Sequence, residues 1–188
     1  MRSLPLSFFH NLSYPRNAVL VTSEDPEGRA NAMAAAWHSP LSVNPPMYGV
    51  AISPKRASYD FIKRSGRFCI NFLPFGLLES LHTCGRVSFK EVGEEKLKRA
   101  KLEVIRGSFG CYIIKEAYAS FECSLVKVVD AGDHDWFIGE VKSVHFSSEL
   151  KNNILDLEAI RPILYMGQDH YVTVDAKSLR KGIISESP

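Results

Sequence analysis

Within Tyr118-Ala119-Ser120-Phe121-Glu122-Cys123-Ser124-Leu125-Val126-Lys127-Val128, polar and apolar side chains alternate from Ser120 to Leu125. Side chains on a strand point to opposite faces with a period of two. Phe121, Cys123 and Leu125 therefore share one face, and Ser120, Glu122 and Ser124 the other. This is the pattern of an antiparallel strand with one face on a core and one toward solvent. Trp136 to Phe146 is a second long strand candidate, with Gly139 placed to make a bulge. Shorter strands are predicted at Ala18–Thr22, Tyr48–Ile52 and Phe68–Phe72, the first closed by the turn Glu24-Asp25-Pro26-Glu27-Gly28.

Helices are fewer. Ser58 is placed to cap a short one that turns Phe61 and Ile62 inward, carries Lys63 and Arg64 near its end and stops at Gly66. Leu77 to Cys84 reads as a second. Glu94 to Ala100 reads as a third, of mostly surface character, because Glu94-Glu95-Lys96-Leu97-Lys98-Arg99 mixes both charge signs. Many strands without regular β-α alternation argue against a doubly wound parallel sheet. The expected fold is mainly β with some α: a closed or nearly closed antiparallel barrel with a few peripheral helices.

The 188 residues amount to about one domain at ~100–200 residues per domain. No repeat, low-complexity tract or long linker divides them, so 1–188 is read as a single domain. At 45% hydrophobic and 23% charged, the chain is neither a disordered tail, a collagen-like fibre nor a disulfide-stapled peptide. Lys and Arg number 23 against 21 Asp and Glu, a formal charge of +2, which lacks the clustered excess cation that nucleic acid requires. No apolar run approaches the ~18 residues of a membrane-crossing helix. Pro5, His10, Asn11, Pro15 and Arg16 break up what superficially resembles a leader. Cys69, Cys84, Cys111 and Cys123 form no Cys-x-x-Cys pair and sit in apolar stretches, as reduced core thiols do. The expectation is a soluble cytoplasmic protein with no membrane or nucleic-acid partner and no metal site.

Three constellations can carry chemistry. Asn31-Ala32-Met33-Ala34-Ala35-Ala36-Trp37-His38-Ser39 offers small side chains that let backbone groups approach a planar ligand; a tightly packed Ala-rich strand or helix explains it equally simply. Ser53-Pro54-Lys55-Arg56-Ala57-Ser58 follows a strand and precedes a helix. Two hydroxyls, two cations and free N–H groups can converge there on one phosphate, or merely cap a helix. Gly132-Asp133-His134-Asp135-Trp136 makes a hairpin turn, and its His can either donate to a substrate or sit in solvent. No Ser-His-Asp order or paired carboxylates stand out, and the absence of Gly-x-Gly-x-x-Gly excludes a Rossmann-type nicotinamide domain.

In this order, the segments resemble the flavin reductase-like family, the FMN-binding split barrels that include flavoredoxin and ferric reductases. The resemblance runs from about Pro15 to Tyr171. It rests on Gly28-Arg29-Ala30-Asn31-Ala32-Met33, Trp37-His38-Ser39 with Pro45-Pro46, Ser53 to Tyr59, Phe68-Cys69-Ile70-Asn71 and Glu116-Ala117-Tyr118-Ala119. Glu122-Cys123, Gly132-Asp133-His134, Ile138-Gly139-Glu140-Val141 and Leu164-Tyr165-Met166-Gly167 complete it. The resemblance implies an antiparallel split β-barrel that binds FMN. Asn31, Ala32, Met33, Ala34, Ala35, Trp37 and Ser39 would line the isoalloxazine and ribityl chain. Ser53, Arg56 and Ser58 would hold the phosphate with Lys55 nearby, and His134 would stand where a nicotinamide enters. Ala34 departs from the Thr or Ser of many relatives, which removes a hydroxyl contact. The implied activity is hydride transfer from NAD(P)H to flavin and onward to free flavin, a ferric chelate or a partner protein. The alternative is an FMN-binding electron carrier without NAD(P)H activity. A homodimer is implied in either case.

Overall fold

Val19, Leu20 and Val21 are all fully buried, so the strand they form has a core on each face. This arrangement organises the computed structural model, which describes residues 3–147, 150–151 and 153–182. The strands are β1 (Arg16–Asn17), β2 (Val19–Glu24), β3 (Ala30–Ala35), β4 (His38–Ser42), β5 (Met47–Ile52), β6 (Arg67–Phe72), β7 (Val104–Arg106) and β8 (Tyr112–Ile114). They continue as β9 (Ala119–Asp130), β10 (Asp135–Phe146), β11 (Leu150–Lys151), β12 (Ile154–Leu155), β13 (Leu164–Gly167) and β14 (His170–Val172). The helices are α1 (Ala57–Ser65), α2 (Leu78–Arg86), α3 (Phe89–Val92) and α4 (Glu95–Arg99).

Seven strands form one sheet in the order β3-β2-β6-β9-β10-β5-β4, and every pairing is antiparallel. Its edge strands β3 and β4 are neighbours in the chain. Among the described residues no ladder joins them; of the expected closed or nearly closed barrel, the antiparallel, mainly β sheet is present, but hydrogen bonds do not close it. A small sheet, β1-β13-β14, stands beside it.

One core gathers Val19, Val21, Met33, Val50, Ile70, Cys123 and Phe137 with Ile62 of α1. The other gathers Leu20, Ala30 and Ala32 with Leu81 and Cys84 of α2, Leu97 of α4, and Ile114. Alternation along β2 and β3 thus feeds successive residues to opposite cores, which explains the continuous apolar run in β2. Gly139 coincides with a register shift between β9 and β10; a Cβ there would come within 2.7 Å of the Phe68 ring. Gly66 ends α1 with φ +67, the left-handed region that favours glycine.

The solvent face expected on β9 is absent at its first half. Ser120 and Glu122 are both buried: Ser120 Oγ donates to Asn71 Oδ1 at 2.9 Å, and the segment between β7 and β8 lies over Glu122. Glu122 accepts from the Phe109 N–H at 3.0 Å and the Cys111 N–H at 2.8 Å, and it pairs with His145 Nε2 at 2.7 Å. Burial pushes this carboxyl up, but these donors outweigh it and hold it below the ordinary value. The four cysteines are free and buried. No helix among the described residues is long and apolar enough to cross a membrane.

Candidate functional site

As an edge strand, β3 pairs with β2 on one side and leaves backbone groups free on the other. Met33, Ala34 and Ala35 lie on that edge strand, and Ala36 and Trp37 continue past its end, where the Trp37 carbonyl accepts from Ala51 N–H at 2.9 Å; together they line a cavity of about 380 Å³, within the size range of small-molecule sites. Gly85 of α2 lines it too; a Cβ on Gly85 would stand 3.2 Å from that of Ala34, so small residues on both elements set the spacing. The far wall is aromatic. Trp37 Nε1 donates to the Tyr14 hydroxyl at 3.3 Å, and the Tyr14 and Tyr165 rings meet edge to face at 5.2 Å. The His134 ring lies 5.1 Å from that of Trp37.

A second, narrower space of about 50 Å³ adjoins the first and shares Met33, Ala34, Arg56 and Gly85 with it. Asn31, Ser58, Ser88, Lys55 and Lys96 complete its polar lining, so three cations face it and no carboxylate does. The first turn of α1 opens here. Its N-cap is Arg56, without a side-chain cap, so the first N–H groups of the helix remain available to an anion. The expectation that Ser58 caps the helix is corrected. Ser58 lies inside the first turn, fully buried, and its Oγ accepts from Asn31 Nδ2 at 2.8 Å. Asn31 Oδ1 is buried without a partner.

Lys96 is 4% exposed and makes no ion pair among the described residues. Burial pushes its ammonium down to about 8, with the nearby Arg56 charge adding to the effect and Cys84 opposing it. A buried, unpaired cation is costly, and a polyanion in the adjoining space would offset that cost. The segment 94–100 is mostly surface as expected, with Glu94, Glu95, Lys98 and Arg99 exposed, but Lys96 departs from the solvated face and is buried beside Leu97.

The residues singled out in the sequence divide into three groups. Met33, Ala34, Ala35, Trp37, Ser53, Arg56 and His134 line the large cavity. Asn31, Lys55 and Ser58 line the small one. Ala32 and Ser39 line neither. Ala32 is fully buried in the core beside Leu20, and Ser39 Oγ donates to the Pro40 carbonyl at 2.9 Å. His38 is structural: its two ring nitrogens engage Tyr48 Oη at 2.7 Å and the Asn17 carbonyl at 2.8 Å. Burial holds its imidazole below the ordinary value, so it stays neutral. The sequence reading missed Lys96, Tyr14 and Tyr165. Nothing in the residues around Lys96 marks it, whereas Tyr14 directly precedes the resemblance that starts near Pro15, and Tyr165 lies within the quoted Leu164-Tyr165-Met166-Gly167 without having been given a role.

The model of the family described as "Flavin reductase like domain" matches residues 11–175. The chain is 34% identical to a flavin reductase of Pseudomonas putida over 138 residues, covering 72% of this chain and 76% of that protein. It is 38% identical over 169 residues to an uncharacterized protein of Aeropyrum pernix, covering 89% of this chain but spanning only 64% of the length of that relative. Among solved structures, an FMN-binding protein from Thermus thermophilus, with bound 1-cyclohex-2-enone, superposes with TM-score 0.81 at 33% identity. That match covers 96% of this chain and all of the other. Flavoredoxin from Methanosarcina acetivorans superposes with TM-score 0.84 at 26% identity, over 100% of this chain and 96% of that one.

Proposed function

The chain belongs to the flavin reductase-like family, and from that premise we propose that it is an FMN-binding oxidoreductase reduced by NAD(P)H. The observation that carries the reading is the pairing of a flat, backbone-edged cavity with a small cationic one that shares Arg56 with it. A flavin mononucleotide has the same two parts, a planar ring system and a phosphate. The Thermus thermophilus relative, described as FMN-binding, supports the choice of flavin.

In this reading the free edge of β3 and its continuation to Trp37 hold the ring system, and backbone groups make the contact that a hydroxyl at Ala34 would otherwise make. Arg56, Ser58, Asn31, Lys96 and the first turn of α1 hold the phosphate, with Lys55 facing the same small cavity and Ser53 on the wall of the large one. A half-turn of the Asn31 amide lets Ser58 donate to its oxygen and offers the NH₂ group to the anion. Held by the residues of the two cavities, FMN would supply hydride-acceptor and electron-transfer chemistry, with a nicotinamide nucleotide as donor and free flavin, a ferric chelate or a partner protein as acceptor. His134 positions the nicotinamide. Its Nδ1 faces the Asp133 carboxylate at 2.8 Å and its ring lies against Trp37, so two contacts fix the imidazole.

The likeness to flavoredoxin favours a second reading, an FMN-binding electron carrier with no NAD(P)H activity of its own. Both readings include a homodimer, for which the exposed Leu6, Phe9 and Leu12 provide apolar surface at the N-terminal edge of the cavity wall. Titration of the apoprotein with FMN and riboflavin tests the cofactor assignment. FMN should bind at least about tenfold more tightly, because the cationic cavity contributes only when a phosphate is present. Equal affinities would remove the phosphate from that cavity.

A further inference from the structure

One wall of the large cavity is built from side chains that give up single electrons readily. Trp37, Tyr14, Tyr165 and Tyr171 line it together with His82 of α2. The small sheet places two of them. Tyr165 on β13 and Tyr171 on β14 are direct partners in register, so their rings share a face, with centroids 5.2 Å apart. Tyr165 meets Tyr14 at the same spacing, and Tyr14 Oη accepts from Trp37 Nε1. Four oxidisable rings thus follow one another from the edge assigned to the isoalloxazine to α2. At that end the Tyr171 hydroxyl lies 3.2 Å from His82 Nδ1. With the imidazole proton on Nε2, this hydroxyl donates to a base. Tyr14 and Tyr165 lack such a partner among the described residues, and the indole N–H that meets Tyr14 only donates. A phenol loses an electron far more readily when its proton leaves too, so Tyr171 is the ring where an electron vacancy comes to rest.

We propose that Tyr171 and His82 form a proton-coupled redox site that ends a path for single electrons along this wall. The inference rests on the reading that a flavin ring occupies the large cavity. The oxidant is that ring in its light-excited state, which takes one electron from the nearest aromatic side chain. Tyr171 refills the vacancy with one electron while its hydroxyl proton passes to His82 Nδ1, so an O–H bond breaks and an N–H bond forms. The products are a flavin carrying one extra electron, a neutral tyrosyl radical and an imidazolium; charge and atoms balance. The oxidising equivalent is thereby drawn away from Met33 and Trp37 at the edge that holds the ring, and reverse transfer restores every group.

The test is time-resolved absorption after a laser flash on wild type, Tyr171→Phe and His82→Gln, each compared at full FMN loading. Phe keeps the ring but has no proton to release, and Gln keeps a hydrogen-bond acceptor that cannot take the proton. Wild type should show the sharp band of a neutral tyrosyl radical, and its appearance should slow in deuterated water because the proton moves with the electron. Both variants should lose the band. A band that survives in Tyr171→Phe, or that His82→Gln leaves at wild-type yield, overturns the proposal. So does its absence from a wild type that quenches the fluorescence of bound FMN, and that result leaves the flavin placement intact. FMN whose fluorescence wild type leaves unchanged lies away from the aromatic wall, which overturns the flavin placement and the proposal with it.

Discussion

Asn31 Nδ2 donates to Ser58 Oγ across 2.8 Å, joining the edge strand β3 to the first turn of α1. The bond makes one unit of the strand edge assigned to the ring system and the helix start assigned to the phosphate. It also leaves the other end of the Asn31 amide buried without a partner. Asn31→Asp keeps the shape but places a carboxylate at the cationic cavity. FMN affinity should fall by about tenfold or more, whereas riboflavin affinity should stay within about twofold. Parallel titrations of both ligands read the difference, and equal losses would place Asn31 outside the phosphate site.

Lys96 sets stability against binding. Its folded-state value lies near 8 against an ordinary 10.5, so between those limits the unfolded chain binds more protons than the folded one. The stability of the apoprotein therefore rises with pH across about 8 to 10.5 as the buried charge is relieved. Below that window the penalty is fully present, on the order of 3 kcal/mol. Lys96→Met should raise the apoprotein Tm at pH 7 yet weaken FMN binding. Wild-type FMN affinity should fall as pH rises above about 8, and Lys96→Met should abolish that fall. A lower apoprotein Tm for Lys96→Met would contradict a buried, unpaired ammonium.

The contrast between Lys96 and Gly66 shows what the sequence can reveal. Gly66 was legible because a helix end and a left-handed turn are local events. Strands β6, β9 and β10 were legible for the same reason, through apolar runs, alternation and turn residues. Lys96 sits in a mixed-charge stretch that reads as a solvated face, and only the fold brings it against Asn31 and Arg56. Glu122 was misread because alternation reports two faces but cannot say that the 107–111 segment covers the polar one. Ala32 and Ser39 were grouped with true cavity residues because a motif is continuous in sequence, whereas a strand alternates its side chains and a cavity follows only one edge.

His134→Ala should leave FMN affinity and Tm nearly unchanged. It should slow flavin reduction, or raise the apparent constant for NAD(P)H, by about two- to twelvefold, the scale of one lost neutral hydrogen bond. Tyr59→Phe removes the tie to Asp135 and should shift the same quantities in the same direction, which makes Tyr59 a positioning residue. Stopped-flow traces identical to wild type at every nicotinamide concentration would remove His134 from the site.

Light scattering of the flavin-loaded protein should give twice the 21.1 kDa chain mass. Replacing Leu6 and Phe9 by Ser should shift the particle toward a single chain, because both expose apolar surface on one short N-terminal segment. A single-chain mass for the loaded wild type would contradict the dimer.

Arg56 lines both the large and the small cavity, so one residue links the places assigned to the flavin ring and its phosphate. The direct measurement is an anaerobic absorbance record of the FMN-loaded wild type after addition of NADH or NADPH. The bound flavin should bleach within seconds for at least one of the two. A flavin that stays bound and oxidised with both nucleotides would contradict reduction by NAD(P)H and leave the electron carrier as the function.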